Sequence, residues 1–337
     1  MIKHNSPTLG IEEEQAALKV IRSGWLAHGS EVEGFENEFC KFIGLPEGHA
    51  VAVTNGTSAL FLALWALHAQ DRKVALPVYA CSSLRHAAAM AGAEEVLLDI
   101  AQGTPNISLD QLNQSGADIA IVPHMFGLPL DISVCKDIDV VEDCAQAIGA
   151  SVDNVPVGLK GKLGIYSFYA TKLITSGGHG GMVVSKDKTL IDSVRDYKEF
   201  DQRRDSKIRF NFHMTNIQAA IGRAQLKKLP GFLKRRGEIF RSYQEAGLRL
   251  LDVSSDNLSP VYYRAVLVAE QPRNIIKSLL DAGIGSIVPV EGWELLGEYA
   301  LFPSASELTK QTVSLPIYPS LTNDEVDKII AVVKTNA

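Results

Sequence analysis

Three short segments carry residues whose types and spacing could do chemistry together. The first centres on Lys172. In Tyr166-Ser167-Phe168-Tyr169-Ala170-Thr171-Lys172 an apolar run gives way to a lysine beside a hydroxyl, and Gly177-Gly178-His179-Gly180-Gly181 follows. An amine placed just past a strand end can capture a carbonyl as a Schiff base. A surface lysine in a mobile loop would show the same local pattern. The glycines do not read as a dinucleotide fingerprint, which needs strand, glycines and then helix; here another strand follows them. Nor does the chain contain a GxxxxGK[ST] phosphate loop.

The second segment is Val140-Val141-Glu142-Asp143-Cys144-Ala145-Gln146. Two carboxylates close an apolar run, at the end of a strand where open α/β sheets bind ligands. A carboxylate there needs a cationic partner, or desolvation raises its pKa. A protonated ring nitrogen could supply that partner, and so could a structural Arg or Lys. The third segment is Val53-Thr54-Asn55-Gly56-Thr57-Ser58-Ala59-Leu60. Here a strand runs into a helix start, and free backbone N–H groups beside Thr57 and Ser58 make an anion site. An ordinary hydroxyl N-cap accounts for the same residues equally well.

These segments must be positioned by regular elements, and the apolar pattern supplies them. Continuous apolar runs predict strands at 50–54, 73–79, 95–100, 118–124, 139–142, 164–169 and 182–185, buried on both faces. Residues 58–68 are apolar all round and predict a buried helix, with a shorter helix at 84–91. Alternation of this kind points to an α/β domain with a mostly parallel sheet. Beyond Lys186 the pattern changes. Helices are expected at 218–229 and 234–248, punctuated by Pro230 and Gly231. A strand is expected at 262–269, a helix at 272–282 with Gly283 beyond its end, and a last helix at 323–334 capped by Thr322 or Asn323.

Composition bounds the answer. A chain of 337 residues suits one large domain plus a smaller one. We place them at 1–244, N-terminal segment included, and 245–337. A net charge of -6 gives no basic face for nucleic acid. The clusters Arg203, Arg204, Lys207, Arg209 and Lys234, Arg235, Arg236 read as solvated surface rather than a polyanion site. The four cysteines show no CxxC pair, and the eight histidines no HExxH, so free thiols and no zinc are expected. The N-terminus has no apolar signal core, and the longest apolar run, 59–67, is too short to span a bilayer. A cytoplasmic location follows as the default.

Taken together, the segments resemble one family, the DegT/DnrJ/EryC1/StrS sugar aminotransferases, which are fold-type I pyridoxal-phosphate (PLP) enzymes. The resemblance runs along nearly the whole chain. It includes Ile21-Arg22-Ser23-Gly24-Trp25 with Phe35-Glu36, then Asn55 to Leu60, Glu142 to Gln146, and Ser167-Phe168 ahead of Lys172. It continues through Asn211-Phe212, Gln218 to Gly222 and Gln225-Leu226, and closes at Ser314 to Pro319. The fold implied is a mostly parallel seven-stranded sheet between helices, with a smaller C-terminal α+β domain.

The resemblance also implies roles. Lys172 holds PLP as a Schiff base. Asp143 pairs with the ring nitrogen, and Gln146 sits near the phenolic oxygen. Gly56, Thr57, Ser58 and Ser167 bind the phosphate, and Cys81 takes a place where the family often stacks an aromatic ring. Asn211 reaches the phosphate of the neighbouring subunit's coenzyme, making the active unit a homodimer. The reaction implied moves an amino group from an amino acid, L-glutamate, to a keto-sugar carried on a nucleotide.

The chain departs from the family pattern at three places. His179 stands in a lengthened glycine loop, as a functional contact or a solvated residue. Cys81 replaces the usual aromatic, as a coenzyme contact or a core thiol. His213 stands where an Arg is common, and the C-terminal unit is short around Val288 to Trp293. A sugar dehydratase of the same superfamily would carry histidine in place of Lys172. A non-catalytic homologue would be expected to have lost Lys172 or Asp143. A non-nucleotide acceptor such as a keto-cyclitol stays open.

Overall fold

The computed structural model describes residues 1–253 and 255–336. Seven strands form one sheet in the order Ala50–Val53, Gly181–Val184, Leu163–Ser167, Asp139–Asp143, Ile119–Pro123, Lys73–Pro77, Glu94–Leu98. The pairs from Leu163–Ser167 outward to Glu94–Leu98 are parallel. Gly181–Val184 runs antiparallel to both of its neighbours. These are the strands that the apolar runs predict.

The reason for unbroken apolar runs is visible in the packing. Val51, Val53, Leu163 and Ile165 face the helices Gly56–Ala66 and Ser83–Met90. Their alternates Ala50, Ala52, Tyr166 and Met182 face Ser30–Ile43 and the long helix Asn216–Glu245. The central strands are thus covered on both sides, whereas the edge strand Glu94–Leu98 is only partly buried. Gly56–Ala66 lies deepest, with Phe61 and Leu64 essentially out of contact with water. A charge introduced at either position would be stranded in that layer.

The region expected to hold two helices holds one. Asn216–Glu245 is continuous, with Pro230 inside it and a Thr215–Gln218 capping box at its start. Proline in a helix interior costs about 3 kcal/mol through a lost hydrogen bond and a clash with the preceding turn. Burial on both sides of it prevails. Ala219, Leu226 and Leu229 pack under the sheet. Ile239, Phe240 and Tyr243 enter a second core.

That second core belongs to the C-terminal unit. The strands Ala265–Val268 and Thr312–Leu315 pair antiparallel and are flanked by the helices Pro272–Asp281 and Asn323–Asn336. Thr322 and Glu325 form the last helix's reciprocal cap. Ile2 joins this core and bridges to Ile284, so the chain's first residues lie on the C-terminal unit.

Candidate active site

The parallel strands and Ala50–Val53 all point their C-terminal ends to one edge of the sheet. The segments singled out in the sequence follow those ends. After Leu163–Ser167 the chain turns tightly. The Lys172 amide donates to the Tyr169 carbonyl at 2.9 Å, and Tyr169 bridges to Gly178. Gly178 has φ +130, a conformation that side-chain-bearing residues rarely adopt. The N-terminal segment supports the loop from outside, as Asn5 Nδ2 donates to the Thr171 carbonyl at 3.0 Å. Lys172 is half-buried, its ammonium over the ring of Tyr263 at 5.1 Å from the centroid. It is not a freely solvated surface lysine.

The adjacent carboxylates Glu142 and Asp143 point to opposite faces of their strand and differ in kind. Glu142 is fully engaged. It accepts from His124 Nε2 at 3.0 Å and from the Lys160 and Gly161 amides at 2.7 Å each. His124 Nδ1 accepts from the Leu130 amide at 3.1 Å, which leaves Nε2 as the donor. Burial pushes the Glu142 carboxyl up, but His124 and the loop amides hold it below its ordinary value. Asp143 accepts only the Ala145 amide, at 2.9 Å, and has no ion-pair partner among the described residues. Burial raises its carboxyl above the usual range, against the opposing pull of that amide and of Lys172. A buried carboxylate with an unfilled valence fits a ligand cation, and a structural Arg or Lys does not fill the place.

At the third segment the cap is Asn55, whose Oδ1 accepts from the Ser58 amide at 2.8 Å. The capping reading of Thr57 and Ser58 is therefore corrected, because the cap lies one residue before the helix. Ser58 Oγ lies 3.1 Å from Thr54 Oγ1. The Gly56 and Thr57 amides fall in the first turn, where no intrahelical acceptor exists. Gly56 lies against Ser167, and a Cβ on it would come 3.0 Å from the Ser167 Cβ. The fold thus brings Gly56, Thr57 and Ser167 to one corner. Those donors suit a phosphate, and with Asp143 and Lys172 beside the same edge the set fits PLP.

The remaining expected residues are placed less uniformly. Gln146 Oε1 accepts from the Phe126 amide at 2.7 Å, which fixes the side chain. Cys81 is exposed, its sulfur 3.0 Å from Ser83 Oγ, so the core reading of this thiol does not hold. His179 is exposed, and its carbonyl accepts from Gln218 Nε2 at 3.0 Å. Asn211 is exposed on a segment that pairs with the end of Ala50–Val53, where the Thr54 amide donates to the Phe212 carbonyl at 3.0 Å. Arg236 is not solvated surface. It is 1% exposed and donates Nη1 to the carbonyls of Tyr263 at 3.2 Å and Ile317 at 2.8 Å. Arg209 is likewise held, between Asp196 and Asp205.

Sequence reasoning missed Tyr263, Arg264 and His4. Tyr263 is buried between two cations, Lys172 and Arg264, the latter 5.6 Å from the ring centroid. Burial pushes its phenol up, and the two cations pull it below its ordinary value. Arg264 shares Nη1 between His4 Nε2 at 3.3 Å and Ser314 Oγ at 3.2 Å. Its buried Nε has no partner, and no carboxylate pairs with it among the described residues. Tyr263 and Arg264 fall in a β-rich run that reads as plain core, and His4 in an N-terminal segment without a motif, so composition alone gave no signal.

An α/β sheet with this strand order, and a second unit packed at its edge, is the architecture of fold-type I PLP-dependent aminotransferases. The solved aminotransferase TlmJ of Streptoalloteichus hindustanus superposes with a TM-score of 0.90 at 27% identity, covering 100% of this chain and 98% of that one. The chain belongs to the DegT/DnrJ/EryC1/StrS aminotransferase family, whose profile matches residues 7–334. It is 31% identical to the spore coat polysaccharide biosynthesis protein SpsC of Bacillus subtilis (strain 168), over 99% of this chain and 96% of the relative. It is 30% identical to the GDP-perosamine synthase of Escherichia coli O157:H7, over 95% and 94%. The protein is therefore a PLP-dependent aminotransferase of a sugar-aminotransferase family. No helix among the described residues is long and apolar enough to cross a membrane.

Proposed function

We propose that the protein moves an amino group from L-glutamate to a keto-sugar linked to a nucleotide, in amino-sugar or polysaccharide biosynthesis. It acts as a cytoplasmic homodimer. The observation that carries the chemistry is a half-buried Lys172 beside a buried Asp143 that has no ion-pair partner among the described residues, at one end of the sheet. The acceptor class rests on the named relatives, among them a GDP-perosamine synthase. Four free cysteines, two of them buried, suit a reducing compartment.

Bound PLP supplies an electron sink for the carbanion formed at the donor carbon. Every other task falls to the chain. Lys172 would hold the coenzyme covalently. Its amine, when not bonded to the coenzyme, would carry a proton at Nζ. Asp143 would keep the ring nitrogen protonated, which also satisfies its own buried charge. Gly56, Thr57, Ser58 and Ser167 would hold the phosphate at the helix start. Gln146 would stand by the phenolic oxygen and Cys81 by the ring. Asn211, solvent-exposed in the single chain, would reach the partner's coenzyme. Arg264, whose Nε has no hydrogen-bond partner among the described residues, would take the donor carboxylate.

The test is spectroscopic. The purified protein with PLP should show a visible band that borohydride fixes onto Lys172, mapped by mass spectrometry. L-glutamate should bleach the band, and a nucleotide-linked keto-sugar should restore it. Bleaching by glutamate with recovery only on a keto-cyclitol would replace the acceptor. Absence of the band would overturn the whole reading.

A further inference from the structure

We propose that His28, Glu199 and His213, none of them assigned to the coenzyme, form a transition-metal site. The three residues come from elements far apart in the chain. His28 lies in the loop between the helices Ile11–Ser23 and Ser30–Ile43. Glu199 closes the helix Lys188–Lys198. His213 sits on the segment that bridges to Val53. One ligand atom of each lies within 4.8 Å of the others.

Two observations point to a ligand at this place. His28 Nε2 and His213 Nδ1 are both buried and both without a hydrogen-bond partner. Buried polar atoms are nearly always satisfied, so two orphaned imidazole nitrogens beside one carboxylate ask for a shared partner. The rings meet edge to face at 5.3 Å rather than by a hydrogen bond.

The donor set selects the ion. Two imidazole nitrogens and one carboxylate suit Zn²⁺ and its first-row neighbours, whereas Mg²⁺ and Ca²⁺ prefer oxygen throughout. Three protein ligands leave one tetrahedral position for water. Tetrahedral zinc with bonds of about 2.0–2.1 Å sets its ligand atoms roughly 3.3 Å apart, so the side chains must close in by rotation. Lys198 is an adverse neighbour, and Glu36 stands 3.8 Å from its ammonium. A bound ion would tie the segment carrying Asn211 to the loop carrying His28. The site itself does not depend on the role proposed for Asn211 or Lys172.

The experiment is metal analysis of the PLP-loaded protein after chelator treatment, dialysis and titration with Zn²⁺. One ion per chain is expected, with micromolar or tighter affinity and a rise in the thermal midpoint that chelator reverses. His28→Gln and His213→Gln should each weaken binding at least tenfold. Glu199→Gln keeps size and shape, and should do the same should the histidine variants fail to fold. The Lys172 absorption band should be unchanged in Glu199→Gln. No binding, or binding of equal strength in all the variants, would show that ordered water fills the place and overturn the proposal.

Discussion

The ammonium of Lys172 lies over the ring of Tyr263, 5.1 Å from its centroid, so a residue of the C-terminal unit forms the floor beneath the lysine of the large one. Contacts of this kind contribute ~0.5–2 kcal/mol, depending on how dry they are. Arg264 flanks the same ring on another side, at 5.6 Å. Tyr263 packs with Phe168, Leu173 and Ile174 in the core under the sheet, so a distant stretch of chain completes the site from within that core.

Lys172→Ala should abolish transamination, lowering kcat by about a thousandfold or more, and should leave nothing for borohydride to fix. It should also destabilise the fold by about 0.5–2 kcal/mol, the worth of the lost contact with the Tyr263 ring. Tyr263→Phe separates the ring from its hydroxyl. It should keep the coenzyme bound and alter the pH profile of the visible band.

Asp143→Asn tests the buried carboxylate, and the sign can be worked out. Burial raises this group's pKa in the folded chain. An acid with a raised folded pKa contributes stability below its unfolded pKa and loses it as pH rises through the folded one. The coenzyme-free protein should thus weaken as pH climbs from the ordinary aspartate range, and Asp143→Asn should flatten that slope. The same variant should lower kcat by about 10²–10⁴-fold, since nothing then keeps the ring nitrogen protonated. Chemical denaturation of the coenzyme-free form across pH reads the first effect. A variant slope equal to that of the parent would contradict it.

Arg264→Gln should raise KM for the amino donor by about 10–100-fold, as expected for loss of a charge-assisted bond to a carboxylate. The acceptor half-reaction, started from amine-loaded enzyme, should be little affected. Equal damage to both halves would instead place Arg264 in support of Tyr263.

His4 gives the acid limb of stability. Burial, then Arg264, lowers its pKa from 6.5 to about 3. A base with a depressed folded pKa contributes stability above its unfolded value and loses it as pH falls toward the folded one. Stability should drop by a few kcal/mol, roughly 1.4 per unit of pKa as an upper bound, between pH 6.5 and 3. His4→Asn should remove much of that dependence. Thermal midpoints of both proteins at pH 7, 5 and 4 decide the matter.

Much of the fold was legible because strands buried on two faces write themselves as unbroken apolar runs, as at Ile119–Pro123. Lys172 and Asp143 could be placed together from the sequence because one follows a strand and the other closes a strand at the same end of the sheet. Pro230 misled, since local propensity argues for a break and only the distant burial of Leu229 and Phe240 overrides it. Glu142 and Asp143 are neighbours in sequence, yet alternation sends one to His124 and the other to the open edge. Arg236 read as surface because its partners are backbone carbonyls, which no composition reveals. Tyr263 and Arg264 were hidden because their neighbours come from four separate stretches of chain.

The helix Asn216–Glu245 gives the molecule a shared axle. Its first half is bedded under the sheet and its second in the C-terminal core, so the two cores cannot drift apart without breaking a rod that belongs to both. Relative motion is channelled into bending at Pro230, where the rod lacks a rung, or into the crossing at Tyr262, where φ is +50. Tyr263 is the next residue. Because Tyr263 packs with Leu173 and Ile174 in the core under the sheet, such flexing would leave the lysine on its floor and move the C-terminal strands against both.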